Sequence, residues 1–180
     1  MADIMNKVGR ILISQQEIHE AIKKAGAAIS AEYDGKPLLL VSILKGAFVF
    51  LADLCREITV PCEVDFITAR SYYGGTSSSG SVEIVSGLER DISGYHVIIA
   101  EDIIDTGRTL SLIAEKIRGM SPLSLKIVTL LDKPERRETD LNADLSLFTI
   151  PDLFVIGYGL DLDERYRNLP YIAEYKGDTL

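Results

Sequence analysis

The chain has 180 residues, of which 47% are hydrophobic and 26% charged, and its formal net charge is -8. This length and balance predict one soluble globular domain with a substantial hydrophobic core. An acidic surface repels nucleic acid and anionic membranes, so we expect neither as a main partner. Cys55 and Cys62 match no metal-binding spacing, and neither a signal peptide nor a membrane-spanning run is visible. We therefore expect a cytoplasmic protein.

The first predicted element is a helix that begins at the capping box Ser14-Gln15-Gln16-Glu17. Asp34-Gly35-Lys36-Pro37 ends it. The continuous apolar run from Leu38 to Leu44 predicts a buried strand, and Ala47 to Ile58 predicts an apolar-rich helix. Glu63 to Ala69 alternates well enough to be the next strand.

A loop rich in Gly and Ser follows, from residue 71 to residue 80, without apolar periodicity. After it, the pattern predicts one more helix, Leu110 to Ile117. The remaining predicted strands are Val82 to Val85, Tyr95 to Ala100, Leu125 to Leu131 and Phe154 to Tyr158.

Strands that alternate with helices, and that are continuously apolar, indicate an open, mostly parallel sheet flanked by helices, the α/β class. Ligands of such sheets bind beyond the carboxyl ends of the strands. We predict a single domain over residues 1–180, with a core at about residues 36–160. A small hood lobe is expected from the chain ends, about residues 1–35 and 161–180.

The segment from Glu101 to Thr109 is the most informative part of the sequence. An apolar strand leads into two adjacent acids, and a short turn with Gly107 and two threonines then leads into a helix. Backbone N–H groups at a helix start attract anions, and the hydroxyls of Thr106 and Thr109 add donors. Gly107 permits a close approach of the ligand. The segment therefore predicts a phosphate cradle.

The two acids beside the cradle, Glu101 and Asp102, repel a bare phosphate. They fit a ligand that also presents hydroxyl groups, or a bound Mg²⁺ that offsets the charge. A ribose 5-phosphate has both hydroxyls and phosphate at about this spacing. The segment is neither a Walker loop nor a dinucleotide fingerprint. The alternative is an acidic turn in which Asp105 caps the helix.

This segment resembles the phosphoribosyl-pyrophosphate-binding signature of the type I phosphoribosyltransferases. Four further stretches, in the same order as in that family, narrow the resemblance to the hypoxanthine-guanine phosphoribosyltransferases. They are Leu44-Lys45-Gly46, Ser71-Tyr72, Leu131-Asp132-Lys133-Pro134 and Phe154 to Arg167. The resemblance implies a Mg²⁺-dependent purine-salvage enzyme with a Rossmann-like core. Its substrates are expected to be a purine base, hypoxanthine or guanine, and phosphoribosyl pyrophosphate.

The resemblance also implies roles for the cradle residues. Thr106, Gly107, Arg108 and Thr109 are expected to hold the 5′-phosphate, and Arg108 stands where many family members have Lys. Glu101 and Asp102 are expected to face the ribose hydroxyls, directly or through water on a metal. Asp105 is expected to face N7 of the purine as the general acid/base. Helix capping remains its alternative role.

For the base, the resemblance implies that Lys133 donates to the purine O6, that Phe154 stacks on the ring and that the backbone of Val155 reads its edge. A lysine ammonium is a donor only, so it pairs with a 6-oxo group and opposes the 6-amino group of adenine. On the residues alone, Lys133 reads as a solvated loop lysine beside Glu135, and Phe154 and Val155 read as core.

For pyrophosphate, the resemblance implies binding by Lys45, Gly46 and Arg167. Asp161, with Glu101 and Asp102, is the expected metal ligand. Asp161 and Arg167 alternatively read as members of a surface ion pair. A cis peptide bond is expected between Leu44 and Lys45.

The resemblance also implies that Ser71 and Tyr72 begin a lid, which would exclude water from the reacting centre. The alternative is a flexible loop with no catalytic role.

Two other functions remain open. One is a phosphoribosyltransferase for xanthine or adenine, although Lys133 argues against adenine. The other is a non-catalytic regulator that binds phosphoribosyl pyrophosphate and then nucleic acid, which the net charge and the short chain disfavour. The resemblance further implies a homodimer or homotetramer.

Overall fold

A computed structural model describes residues 7–71 and 82–177 of the chain. Their main feature is a six-stranded sheet with the strand order β4-β3-β2-β5-β6-β7. Five of its strands run parallel, and the edge strand β4 is antiparallel to β3. The strands are β2 (Leu38–Leu44), β3 (Cys62–Ser71), β4 (Val82–Ser86), β5 (His96–Ile104), β6 (Ser124–Asp132) and β7 (Leu145–Thr149). This arrangement confirms the predicted open, mostly parallel α/β sheet.

Helices cover both faces of this sheet. Along β2, Leu38 and Leu40 join the core under helices α1 (Gln15–Glu32) and α2 (Phe48–Glu57). Leu39, Val41 and Ile43 join a second core under helix α3 (Arg108–Gly119). Successive strand residues point to opposite faces, so a strand buried on both sides must be apolar throughout. For this reason the apolar run from Leu38 to Leu44 is continuous rather than alternating.

Helix α1 begins as the sequence predicts. Ser14 accepts a hydrogen bond from the N–H of Glu17, and the Glu17 carboxylate accepts from the N–H of Ser14 at 2.8 Å. The Ser14 hydroxyl also donates to the Glu17 carboxylate at 2.6 Å. This bond, and after it the bond from the Ser14 N–H, lowers the pKa of Glu17. The helix packs against α2, where Gly26 lies so close to Glu57 that a Cβ on it would be 2.6 Å from the Glu57 Cβ.

A smaller, three-stranded antiparallel sheet joins the two ends of the described chain. Its strands are β1 (Val8–Ile13), β8 (Val155–Ile156) and β9 (Ile172–Tyr175), in the order β1-β9-β8. The division into core and hood stays a prediction, but two details differ from its boundaries. Helix α1 lies within the predicted hood, yet it packs on the main sheet. Strand β8 belongs to the small sheet, yet it lies before residue 161, where the second part of the hood was predicted to begin.

Four short elements were not predicted: β1, β7, β9 and the 3₁₀ turn Pro134–Arg136. Strands β1 and β7 are largely half-exposed, and β9 has only four residues. Such segments give little periodic signal, because a short or half-exposed strand has few buried residues to mark one face.

Strands β2, β5 and β6 are neighbours in the sheet, so their carboxyl ends lie side by side. Strand β5 continues to Ile104. The prediction that it ends at Ala100 was therefore wrong, and Glu101 and Asp102 lie within the strand rather than after it. None of the helices in the described ranges has the length and apolar character that a membrane crossing requires.

Candidate active site

Three predicted site residues follow directly from the three neighbouring strand ends. Lys45 follows β2, Asp105 follows β5 and Lys133 follows β6. The peptide bond between Leu44 and Lys45 is cis, as expected. The parallel sheet thus brings together groups that are far apart in sequence.

A cavity of about 350 Å³ opens at this edge of the sheet. Most of the side chains and backbone groups that line it were predicted as site residues. They are Lys45, Gly46, Asp102, Ile103, Asp105, Lys133, Phe154, Val155, Leu160, Asp161 and Arg167. Ile103 and Leu160 are the additions, and nothing in their apolar character distinguishes them in the sequence from core residues.

The floor of this cavity is tightly packed around Gly46. A Cβ on Gly46 would lie 2.0 Å from Oδ2 of Asp102. On the other side, a Cβ on Gly159 would lie 2.2 Å from the Gly46 carbonyl oxygen, and Gly159 has φ +98. Only glycine fits at both positions. The loop after β2 is therefore in direct contact with the acidic strand and with the segment before Asp161.

The two adjacent acids of β5 have different surroundings. Asp102 is only 6% exposed, and its Oδ1 accepts a hydrogen bond from the N–H of Ile103 at 2.7 Å. Burial raises the pKa of Asp102 to about 6, although that hydrogen bond and Arg167 act in the opposite direction. Glu101 does not line the cavity, as expected for the next residue of a strand, and its Oε2 has no hydrogen-bond partner among the described residues. Burial, with the charge of Asp102, raises the pKa of Glu101 well above its usual value.

Asp105 does not cap helix α3, so the capping alternative was wrong. The N-cap residue is Gly107, with φ 81 and no side-chain capping bond. The Asp105 carboxylate instead accepts a hydrogen bond from Nε of Arg136 at 2.9 Å. It lines the cavity, where a ligand can reach it.

The cradle residues form the turn at the start of α3. The N–H of Arg108 lies 3.4 Å from Oγ1 of Thr106, and the Arg108 side chain pairs with Glu138 at 2.5 Å. A Cβ on Gly107 would lie 2.5 Å from Oγ1 of Thr139. The turn therefore packs against the segment after β6, and the helix N-terminus that follows it is the type of group that binds anions. Thr109, in the first turn of the helix, is half-buried.

Lys133 is buried, with 6% of its surface exposed, so the alternative of a solvated loop lysine was wrong. Its ammonium makes no hydrogen bond or ion pair with another described residue. Lys133 lines the cavity, so an acceptor of a ligand bound there would pair with its ammonium. Phe154 is 41% exposed beside it, so its ring is available rather than in the core, whereas Val155 is buried.

The cationic side of the cavity carries internal ion pairs. Arg167 pairs with Asp161 at 2.9 Å and with Glu164 at 3.2 Å, and its Nη1 donates to the carbonyl of Gly159 at 2.7 Å. Lys45 pairs with Glu164 at 2.8 Å. The ion pairs considered as an alternative for Asp161 and Arg167 therefore exist. Both members of the Arg167–Asp161 pair line the cavity, whereas Glu164 does not. Glu164 holds both cations, and these contacts, that of Lys45 first, lower its pKa.

The predicted lid falls at the border of the described residues. Ser71 ends β3, and Tyr72 lies outside the described residues.

A larger cavity, of about 650 Å³, lies between α1, α2 and residues 158–170. It shares Arg167 with the first cavity but contains none of Lys45, Asp102, Asp105 or Lys133. The first cavity is lined by the predicted lysine, arginine and aspartate site residues, so it is the candidate active site.

Sequence reasoning missed Arg136 and Arg137 as contacts of Asp105, and it missed that Glu164 pairs with Lys45 as well as with Arg167. Their charged side chains looked like solvated surface residues. The signal that was available was the density of charge immediately after Lys133 and Asp161.

The chain is similar to known proteins of one class over most of its length. Residues 11–163 match the family model described as a phosphoribosyl transferase domain. The hypoxanthine-guanine phosphoribosyltransferase of Streptococcus pneumoniae strain R6 is 48% identical over 174 residues, covering 97% of each chain. The enzyme of the same name from Bacillus subtilis strain 168 is 47% identical, covering 94% of each chain.

Among solved structures, a hypoxanthine phosphoribosyltransferase from Staphylococcus aureus superposes with a TM-score of 0.91 at 44% identity. It covers 96% of this chain and 94% of that one. The chain therefore belongs to the hypoxanthine-guanine phosphoribosyltransferase family, within the phosphoribosyl transferase domain superfamily. The resemblance and the fold class predicted from the sequence are confirmed.

Proposed function

We propose that this enzyme transfers the 5-phosphoribosyl group from phosphoribosyl pyrophosphate to hypoxanthine or guanine, giving IMP or GMP and pyrophosphate. The observation that carries the proposal is the shared cavity. One cavity is lined by cations, carboxylates and an aromatic ring. They are Lys45, Arg167 and Lys133, then Asp102, Asp105 and Asp161, and Phe154. The cavity thus combines the groups that a phosphorylated sugar and a purine together require.

The residues present fit a Mg²⁺ ion held partly by substrate. In the described ranges, no group of three or more His, Cys, Asp or Glu side chains is arranged to hold a metal. Mg²⁺ in phosphoryl-containing sites usually has one or two carboxylates, with substrate oxygens and waters as its other ligands. Asp161 would be the carboxylate ligand, and Asp102, which lines the same cavity and interacts with the charge of Asp161, would lie near it. When bound, Mg²⁺ would neutralise charge on the leaving pyrophosphate.

The roles of the chain's own residues follow from their positions. The backbone of Thr106 to Thr109 would hold the 5′-phosphate, and Lys45, Gly46 and Arg167 would hold the pyrophosphate. The bond between C1′ and the pyrophosphate oxygen breaks as N9 of the base bonds to C1′. Asp105 would take the proton that the base loses, at N7. Asp102 would face the ribose hydroxyls, and Glu101, which does not line the cavity, would act on them only through Asp102 or water.

Base selection would depend on Lys133, Phe154 and Val155. The ammonium of Lys133 would donate to O6 and Phe154 would stack on the ring, with the Val155 backbone at its edge. Adenine would place an amino group against the ammonium and leave both donors unpaired. An unsatisfied buried donor costs about 1–3 kcal/mol or more, so we expect discrimination of at least about fivefold. Xanthine differs at position 2, which Lys133 does not contact in this arrangement.

The test is an assay of nucleotide formation by the purified chain, with phosphoribosyl pyrophosphate and each of hypoxanthine, guanine, xanthine and adenine. We expect the highest kcat/KM with hypoxanthine or guanine, and loss of turnover when EDTA removes Mg²⁺. A regulator that only binds phosphoribosyl pyrophosphate would form no nucleotide with any base. A preference for adenine would contradict the role of Lys133.

We further propose a cytoplasmic enzyme that acts as a homodimer or homotetramer, with Ser71 and Tyr72 at the start of a lid. The family resemblance supports the association and the lid. Sedimentation equilibrium measures the subunit number. Deletion of residues 74–79 tests the lid, and an unchanged kcat in that variant would contradict it.

A further inference from the structure

We infer that Arg136 is a positioning residue for the reaction: its guanidinium fixes the carboxylate of Asp105 in the orientation that the purine requires. The inference rests on the proposed function. It concerns a residue that does not line the cavity and that was not among the predicted site residues.

The first observation is the position of the Arg136 guanidinium between two segments of the site. Its Nε donates to Oδ1 of Asp105 at 2.9 Å, and its Nη1 lies 3.6 Å from Oδ2 of Asp152. Asp105 follows β5, and Asp152 stands two residues before Phe154. Arg136 itself stands three residues after Lys133. One planar cation therefore connects the three segments that carry the acid/base candidate, the stacking ring and the O6 donor.

The second observation concerns the carboxylate itself. Arg136 engages Oδ1, so Oδ2 of Asp105 remains for a second donor. A guanidinium has a rigid plane of donors, and its hydrogen bond restricts rotation of the carboxylate more than a flexible ammonium would. Oδ2 of Asp105 would then already be oriented to accept the proton of the base, and such orientation makes proton transfer efficient.

The third observation is that the backbone beside Asp105 is held by the same segment. Arg137, which follows Arg136, donates from Nη1 to the carbonyl oxygen of Asp105 at 2.7 Å and pairs with Asp132. The N–H of Glu138 donates to the carbonyl of Thr106 at 2.9 Å. With the backbone position set by these bonds, the side-chain torsions of Asp105 are the freedom that remains. Arg136 removes that freedom.

A role in stability alone does not account for this pair. Both side chains are partly exposed, at 45% and 42%, and ion pairs in contact with solvent contribute little to the free energy of unfolding. We therefore expect the Arg136→Leu variant to fold with the melting temperature of the wild type. Its effect is expected in turnover.

The experiment is a double-mutant cycle in steady-state kinetics, with wild type, Arg136→Leu, Asp105→Asn and the double variant. Misplacement of a catalytic group costs up to about 100-fold, so we expect Arg136→Leu to lower kcat about 10- to 100-fold. The KM values for both substrates should stay within about threefold, because Arg136 does not line the cavity. In the Asp105→Asn background, the same substitution should change kcat by no more than about twofold.

The matched control is Arg90→Leu. Arg90 also forms a partly exposed ion pair, with Glu63 at 2.7 Å, and it precedes β5 at the opposite end of the strands. We expect its kcat to stay within about twofold of wild type. Asp152→Asn is a second variant, which removes the other anchor of Arg136. We expect it to lower kcat a few-fold, and only when Asp105 is present.

Two results would overturn the inference. One is an active wild type with an unchanged kcat in Arg136→Leu. The other is an equal loss of kcat in the presence and absence of the Asp105 carboxylate. A wild type that forms no nucleotide would instead refute the proposed function.

Discussion

The substitution Gly46→Ala tests the geometry of the site with a single methyl group. The added Cβ would lie 2.0 Å from Oδ2 of Asp102, whereas real Cβ contacts are essentially never shorter than 3.0 Å. The loop and the carboxylate would therefore have to move apart by about 1 Å, and a displacement of this size at a catalytic site costs on the order of 100-fold in rate.

The structure also shows why neither group can move away easily. Asp102 is 6% exposed and lies within β5. The loop cannot shift toward Gly159, since that glycine already packs directly against the Gly46 carbonyl. The shift should therefore disturb Lys45 and Asp102 together, the pyrophosphate and ribose sides of the site.

The assay is kcat/KM for phosphoribosyl pyrophosphate at saturating hypoxanthine, with circular dichroism to verify folding. We expect a fall of about 100-fold in Gly46→Ala. Gly94→Ala is the matched control, because a Cβ there meets nothing within 4 Å. We expect that control to retain full activity. Activity of Gly46→Ala within twofold of wild type would refute the geometric reasoning.

Three further predictions concern single side chains. Lys133→Met should lower kcat/KM for hypoxanthine about 10- to 100-fold without lowering the value for adenine, and an unchanged ratio would refute O6 recognition. Glu164→Gln frees Lys45 and Arg167 from a shared anion, so calorimetry should show about two- to fivefold tighter pyrophosphate binding. Weaker binding would show that Glu164 helps to hold the anion. Burial raises the pKa of Asp102 from 3.8 to about 6, so its contribution to stability is complete below the lower value and is lost as pH rises through the higher one. The measurement is the free energy of unfolding in urea, for wild type and Asp102→Asn. Between about pH 4 and about pH 7, that of the wild type should fall by on the order of 2 kcal/mol relative to the variant. Parallel curves of this free energy against pH would contradict the prediction.

Much of the fold was accessible from the sequence because the main sheet is buried on both faces. Its strands read as continuous apolar runs, and β2 was predicted with its observed bounds. Helix α1 was equally clear, because its capping box is local. The strands β1, β7 and β9 were not accessible, because they are short and because β1 and β7 are largely half-exposed.

The site was predictable only in part, for a related reason. The order of strands places Lys45, Asp105 and Lys133 at one edge, but the sequence does not state that order. Periodicity alone would have assigned Lys133 to solvent and Asp105 to a helix cap. The resemblance of five stretches to a known family corrected both. Neither periodicity nor the family resemblance predicted a role for Arg136, because its contact with Asp105 forms only in the folded chain.

A crystal structure of the protein with GMP and Mg²⁺ is the most direct measurement of the central claim. We expect the 5′-phosphate on the backbone N–H groups of Thr106 to Thr109, the ring against Phe154, and O6 within hydrogen-bond distance of Nζ of Lys133. A nucleotide bound in the larger cavity between α1 and α2, or with its phosphate away from the start of α3, would contradict the account.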